Sequence, residues 1–297
     1  MAGDERLRLL QIKDNKAILE LGVNGIGSRL ADPDHYKGPN FFEAVVHFGQ
    51  TFVDLGMRNG GVPEDEQWSP ENLPPEGIEI LEFNPSVLVQ EALSNIYDIA
   101  QEDFYNSEQK CVEYFGSNAI ILMAAAEKSG INRKDCKFIG LVRAGAVAGQ
   151  MLHIGISEQI LVQTKRLALR GELPGDIAIG ISYFNADQIN DLDGKDWLIA
   201  DPAGATMGSI VANIAYLVDQ GIKPNKLVIL NTVVSHKGAL FALEAIKAMG
   251  IEDVKIVAGG YSPNMDEKYY LETREGNPAV RDAGDGLNRF LPPELQL

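Results

Sequence analysis

Apolar and polar residues alternate over Leu7–Leu21 (LRLLQI, KAILELGV), which predicts one or two strands. Phe41–Leu55 (FFEAVVHFGQTFVDL) places its apolar residues at helical spacing instead. An amphipathic helix is expected there, with His47 inside its pattern as a packing or surface residue. Asn59–Gly77 is dense in glycine, proline and acids and reads as a linker before a short strand over Ile78–Phe83. Asn84-Pro85-Ser86 is a helix start ahead of Val87–Ala100, and Cys111–Ser129 is an alanine-rich helix ended by Gly130. From there the pattern becomes regular. Strands are expected over Phe138–Val142, Gln159–Gln163, Ile177–Phe184, Trp197–Ala200, Leu227–Asn231 and Val254–Ala258. Helices fall between them over Ala146–Ile154, Ile210–Gln220 and Gly238–Met249. This alternation predicts an α/β fold, a mostly parallel sheet flanked by helices. Ligands to such sheets sit beyond the strand C-termini, where Arg143, Asp201 and Ser235 fall.

The length of 297 residues allows one large domain or two small ones. The Pro-rich stretch divides the chain into an α+β extension over 1–77, of unknown role and outside the core, and a larger domain over 78–297. A net charge of −16 argues against nonspecific nucleic-acid binding, which needs clustered cations. No apolar run is long enough for a membrane span, and the opening MAGDERLRLLQIKD has no signal-peptide core. Cys111 and Cys136 stand far apart and imply neither a disulfide framework nor a zinc site. A cytoplasmic location is expected. Gly22-Val23-Asn24-Gly25-Ile26-Gly27 lacks the glycine spacing of a dinucleotide fingerprint.

The chemistry concentrates in Trp197–Leu217, WLIADPAGATMGSIVANIAYL. A strand ends at Asp201, a run of small residues follows, and a helix begins at Ile210. Strand, tight loop and helix put backbone N–H groups and the positive end of a helix dipole at one spot, which holds a phosphate. Thr206 and Ser209 add hydroxyl donors, and Gly204 and Gly208 let the backbone come close. No Gly-Lys-Ser/Thr follows, so this is not a Walker loop. A second strand turns through small residues at Ile139-Gly140-Leu141-Val142-Arg143-Ala144-Gly145, where Arg143 is placed to grip an oxyanion bidentately. A third stretch, Arg281-Asp282-Ala283-Gly284-Asp285, is an acidic glycine turn near the C-terminus. Either of the first two could also be ordinary α/β packing or a structural ion pair.

Taken together, Asp201-Pro202-x-x-Ala205-Thr206-x-Gly208-Ser209, the hydrophobic–Arg-Ala-Gly at 143–145 and Asp-Ala-Gly-Asp at 282–285 resemble the type I phosphoribosyltransferases. The proline after Asp201 looks like the uracil phosphoribosyltransferase branch. The resemblance runs from about Glu82 to Phe290, with Asn84-Pro85-Ser86-Val87 similar to the family's opening segment and Glu267–Leu271 to the strand before its base loop. It implies transfer of a phosphoribosyl group from phosphoribosyl pyrophosphate (PRPP) to uracil or a related base, giving the nucleoside 5′-monophosphate (UMP for uracil, a pyrimidine-salvage step), with magnesium and a homodimer. By the same likeness Arg143, Ala144, Gly145, Lys165, Asp201, Ala205, Thr206, Met207, Gly208, Ser209 and Asp282 would bind PRPP. Leu271, Arg281, Asp282 and Ala283 would border the base, and Asp201, Asp282 and Arg143 would carry the catalysis. No metal ligand is assigned directly.

The departures are as specific. Met207 stands where the family has glycine and is expected to crowd the phosphate loop. Arg281 replaces a glycine of the base loop, Glu272–Asn277 is inserted before it, and Thr164 with Lys165 and Arg166 stands where a mobile-loop arginine is usual. Two alternatives therefore stay open. One is a regulatory relative that binds PRPP or a nucleotide without turnover. The other is a phosphoribosyltransferase for a different, acidic acceptor.

Overall fold

The computed structural model describes residues 7–13, 16–22, 44–48, 57, 61–99, 107–142, 144–167, 178–266, 269–272, 278–280, 287, 290 and 291. Its centre is a ten-residue strand, β10 (Lys226–Ser235), whose residues after Lys226 are all buried. On one side of it lie β8 (Asp196–Ala200), β5 (Lys137–Val142) and β6 (Gln159–Leu167), and on the other β11 (Val254–Ser262) and β4 (Ile78–Ile80). All of these neighbours pair in parallel. Their near-continuous apolar runs, such as Trp197–Ala200 and Leu227–Leu230, suit strands covered on both faces.

Beyond β6 the sheet continues through β7 (Ala178–Tyr183), β3 (Ala44–His47), β1 (Leu7–Lys13) and β2 (Lys16–Gly22). Here the pairing is mixed: β7 runs antiparallel to β6 and β3, and β1 and β2 form an antiparallel hairpin. The expected helix over Phe41–Leu55 is not what forms. Ala44–His47 is strand β3, held between β7 and β1, and Val46 and Phe48 point into the core. Two β-branched valines between two open strand edges outweigh a helical spacing of apolar residues. Residues 41–43 and 49–56 lie outside the described residues.

Among the described residues, five helices cover the sheet. Helix α1 (Val87–Asp98) starts at Ser86, whose hydroxyl accepts from the Val89 N–H. Helix α2 (Glu108–Ser129) starts at Ser107 and stops at Gly130, which takes a left-handed conformation with φ 70°. They pack together with α3 (Ala144–Met151), α2 lying over β10 and β11 and α3 over β5. Helices α4 (Gly208–Asp219) and α5 (His236–Ala248) also pack on each other. Right-handed crossovers place this pair on the opposite face. Helix α5 touches β2 as well as β10 and β11, so the long sheet curls around it. Phe48 meets Phe241 of α5 edge-on at 5.9 Å, and Met57 and Trp68 join the same core as the central strands. Three short strands, β9 (Ala203–Gly204) beside β10 and the pair β12 (Asn264–Met265) and β13 (Leu271–Glu272), sit above the sheet's C-terminal rim; β14 (Pro278–Val280) completes the second sheet.

Candidate phosphate and sugar site

The crossover from β5 to β6 runs one way along the sheet, and those from β8 to β10 to β11 run the other. The direction reverses between β5 and β8, the point where open α/β sheets bind ligands. Two of the sequence-predicted loops leave the sheet there. Gly145, one residue into α3, lies so close to the end of β8 that a Cβ on it would stand 2.7 Å from the Ala200 carbonyl oxygen. The start of α3 and the Asp201 loop are therefore neighbours. Arg143 itself is outside the described residues, as are Arg281, Asp282 and Ala283.

The loop from Asp201 to Met207 is shaped from below by β10. Asn231 donates its amide N–H to the Asp201 carbonyl at 2.6 Å. Main-chain N–H groups of Thr232 and Val233 both reach the Pro202 carbonyl at 3.1 Å. The Ser235 hydroxyl donates to the Ala205 carbonyl and accepts from the Gly238 N–H at 2.8 Å. A peptide's C=O and N–H point opposite ways, so drawing these carbonyls down to β10 turns the Thr206 N–H outward. Among the described residues nothing accepts from the N–H groups of Thr206 and Met207, which open helix α4. They lie beside the helix's first turn and its positive dipole end. Thr206 is buried and its hydroxyl accepts from the Gly208 N–H at 3.3 Å, while Ser209 is half-buried in the first turn. Main-chain N–H groups at a helix N-terminus are the arrangement that favours an anion.

Met207 sits at the loop's floor. Its φ is 58° and ψ 7°, the left-handed region that favours glycine. The side chain is 4% exposed, with Sδ placed 2.9 Å from where a Cβ on Gly204 would lie. The expected crowding thus falls on the buried side of the loop, against Gly204.

Asp201 stands at the loop's entrance with its side chain half-buried. Its carboxylate accepts one long bond, 3.4 Å, from the Ala203 N–H. Burial pushes its pKa up to about 6, against the smaller opposing pull of that N–H. It retains lone pairs for a ligand's hydroxyls. No group of three or more potential ligands (His, Cys, Asp, Glu) that could hold a metal occurs among the described residues. A single open carboxylate suits a magnesium ion that arrives on a substrate's phosphates and keeps several waters, rather than one caged by protein.

Of the remaining sequence-predicted residues, Lys165 is half-buried on β6, whose last four residues run past the end of β5 on the same rim. Arg166 lies over the Tyr269 ring at 5.3 Å. Leu271, on β13, is fully buried between Met265 and Val280. Asn231 was not legible as a site residue. An asparagine inside an otherwise apolar strand is the one signal that could have found it.

No family model matches the chain. It is similar to the uracil phosphoribosyltransferase of Saccharomyces cerevisiae, 30% identical over 95 residues, covering 32% of this chain and 39% of that protein. The match to the Dictyostelium discoideum uracil phosphoribosyltransferase is 20% identical over 217 residues, covering 66% of this chain and 91% of that protein. Among solved structures, the AQ2163 protein from Aquifex aeolicus aligns with a TM-score of 0.43 at 17% identity, over 70% of this chain and 97% of that one. Adenine phosphoribosyl transferase from Trypanosoma brucei, solved with AMP, pyrophosphate and ribose-5-phosphate, aligns with a TM-score of 0.41 at 11% identity, over 67% and 87%.

Proposed function

We propose that this chain, a divergent relative of the uracil phosphoribosyltransferases, transfers a phosphoribosyl group from PRPP to a nitrogenous base, with uracil the leading acceptor and UMP its product. The observation that carries the reading is the nest at Thr206–Ser209 beside the half-buried carboxylate of Asp201 at the sheet's switch point. One anion and one sugar diol fit it. In the reaction the anomeric C–O bond to pyrophosphate breaks and a C–N bond to the base forms, while the base gives up its N–H proton. The protein's part is positioning and charge stabilisation. The Ala205–Ser209 segment would anchor the 5′-phosphate, and Asp201 would accept from the ribose hydroxyls. Arg143, with Ala144, Gly145 and Lys165, would bind the leaving pyrophosphate, and Asp282 would receive or offset the proton. Bound magnesium would add charge neutralisation to the pyrophosphate, and the Asp201 carboxylate would help to hold it. Leu271, Arg281 and Ala283 would border the base.

Residues 78–297 make up the transferase-like domain in this reading, and 1–77 are an extension that shares its sheet and core. No helix among the described residues is long and apolar enough to cross a membrane. We place the protein in the cytoplasm, as a homodimer, on the resemblance alone. A second reading, a relative that binds PRPP without turnover, is favoured by the left-handed Met207 inside the loop.

Pyrophosphate release from PRPP with a panel of bases separates the readings: release with uracil supports the first, binding without release the second. Arg281→Gly sharpens the acceptor. If it gains uracil turnover that the parent lacks, the natural acceptor is something other than uracil. Asp201→Asn is expected to weaken PRPP binding about 10- to 150-fold with the fold intact, the loss of a charge-assisted contact of roughly 1.5–3 kcal/mol. Unchanged affinity by calorimetry would remove Asp201 from the site.

A further inference from the structure

Trp68 comes from the extension, 137 residues before the loop it bears on. Its ring is 4% exposed and stacks on His236 with centroids 4.3 Å apart and planes at 28°. Its main-chain N–H donates to the Tyr261 hydroxyl at 3.3 Å, and that hydroxyl lies 2.9 Å from His236 Nδ1. The Tyr261 hydroxyl therefore ties the Trp68 main chain and the His236 ring to one oxygen. His236 is the first residue of α5, and Ser235 before it is the helix cap that holds the Ala205 carbonyl. The contact is close. A Cβ on Gly238 would lie 1.9 Å from the Ala205 oxygen, so the first turn of α5 bears directly on the loop.

We propose that Trp68 and Ser235 are positioning residues for the phosphate nest. Trp68 fixes the start of α5 through His236 and Tyr261, and Ser235 passes that fixed position to the Ala205 carbonyl, which aims the Thr206 N–H at the anion. The extension thereby contributes to ligand binding without touching ligand. This rests on the reading of the nest as the 5′-phosphate site.

The test is a double-mutant cycle on the full chain, by calorimetry with ribose 5-phosphate and, separately, inorganic pyrophosphate. Trp68→Leu and Ser235→Ala should each lower ribose 5-phosphate affinity about fivefold, the worth of one hydrogen bond's alignment. Pyrophosphate affinity should hold, and the double variant should be no weaker than the weaker single, because both act along one line. Trp68→Phe, which keeps an aromatic ring on His236, should restore binding. A lower melting temperature with ribose 5-phosphate affinity unchanged, or fully additive losses in the double variant, overturns the proposal and leaves the nest in place. If Trp68→Leu does not fold, Tyr261→Phe, which removes the hydroxyl that joins Trp68 to His236, takes its place in the cycle with the same outcomes. Absence of ribose 5-phosphate binding in the unmutated protein would remove the phosphate reading itself, and this proposal with it.

Discussion

The turn after β5 and the turn after β8 begin alike, as a buried apolar strand running into small residues and a helix, and they end as different devices. After β5 a single residue separates strand from helix, and Gly145 packs at once on the Ala200 carbonyl. After β8 seven residues intervene, and β10 draws three of their carbonyls downward through Asn231, its own main chain and Ser235. The short turn is held by its own chain geometry. The long one needs a neighbouring strand that outruns it. This β10 supplies, since it pairs with β8 as far as Ala200 and then with β9 at Ala203 and Gly204. A loop of this kind belongs to two strands, and only one of them carries its motif.

That difference explains what the sequence could reveal. The alternating strands and helices from Phe138 onward were legible because each is a local apolar run with its own start and stop signals. So was the Asp201–Ser209 loop, whose small residues and hydroxyls are contiguous. Hidden from it was the extension of β10 past Asn231 to Ser235, the part that shapes the loop from 30 residues away. Thr232–Ser235 reads as two valines between two hydroxyl residues, with Ser235 on the rim but nothing local to say that it reaches the loop. Its value lies in register, which one sequence does not print. The β3 segment was missed for a related reason: its strand state depends on the edges of β1 and β7, neither of which is local.

The comparison can be broken most directly at its two glycines. Gly238→Ala puts a methyl group 1.9 Å from the Ala205 oxygen, while Gly145→Ala puts one 2.7 Å from the Ala200 oxygen. Both are overpacked, and the first cannot be relieved without moving the loop. Gly238→Ala is expected to cost about 3 kcal/mol and Gly145→Ala about 1–2 kcal/mol in denaturant unfolding. Ribose 5-phosphate affinity should fall with Gly238→Ala, and pyrophosphate affinity with Gly145→Ala. If both ligands weaken equally in both variants, the two turns are not separate devices.

A smaller effect isolates Met207. Glycine there relieves a left-handed methionine, worth about 1 kcal/mol, but removes a buried side chain whose loss costs roughly 2–3 kcal/mol. The balance is a net loss of about 1–2 kcal/mol in stability, with phosphate affinity retained. A stabilised Met207→Gly variant would mean that strain, not packing, dominates the loop floor.

The smallest effect in the unmutated protein is its pH dependence, because two buried groups oppose each other. Asp201 has its pKa raised to about 6, so its folded form holds a proton that the unfolded chain has lost; stability falls as pH rises from about 4 to 6. His236 is lowered to about 4, by burial first and the Lys237 charge second, so its folded form stays neutral while the unfolded chain protonates. Its contribution is whole above pH 6.5 and is lost as pH falls towards 4. Each is worth about 3 kcal/mol across its window by linkage, with opposite sign, so together they leave the curve nearly level between pH 4 and 6. Single variants should uncover the slopes. Relative to the parent, Asp201→Asn should lose about 3 kcal/mol more on going from pH 6 to 4, with only the His236 slope left. His236→Asn should show the reverse, losing stability on going from pH 4 to 6. Denaturant unfolding at a series of pH values reads both, and because the other carboxylates are common to all three proteins, only the differences count. Parallel curves would mean that neither group titrates in this range. A slope relative to the parent for His236→Asn alone would leave the lowered His236 as the one of the two groups that titrates with a shifted pKa, and would take Asp201 out of the account.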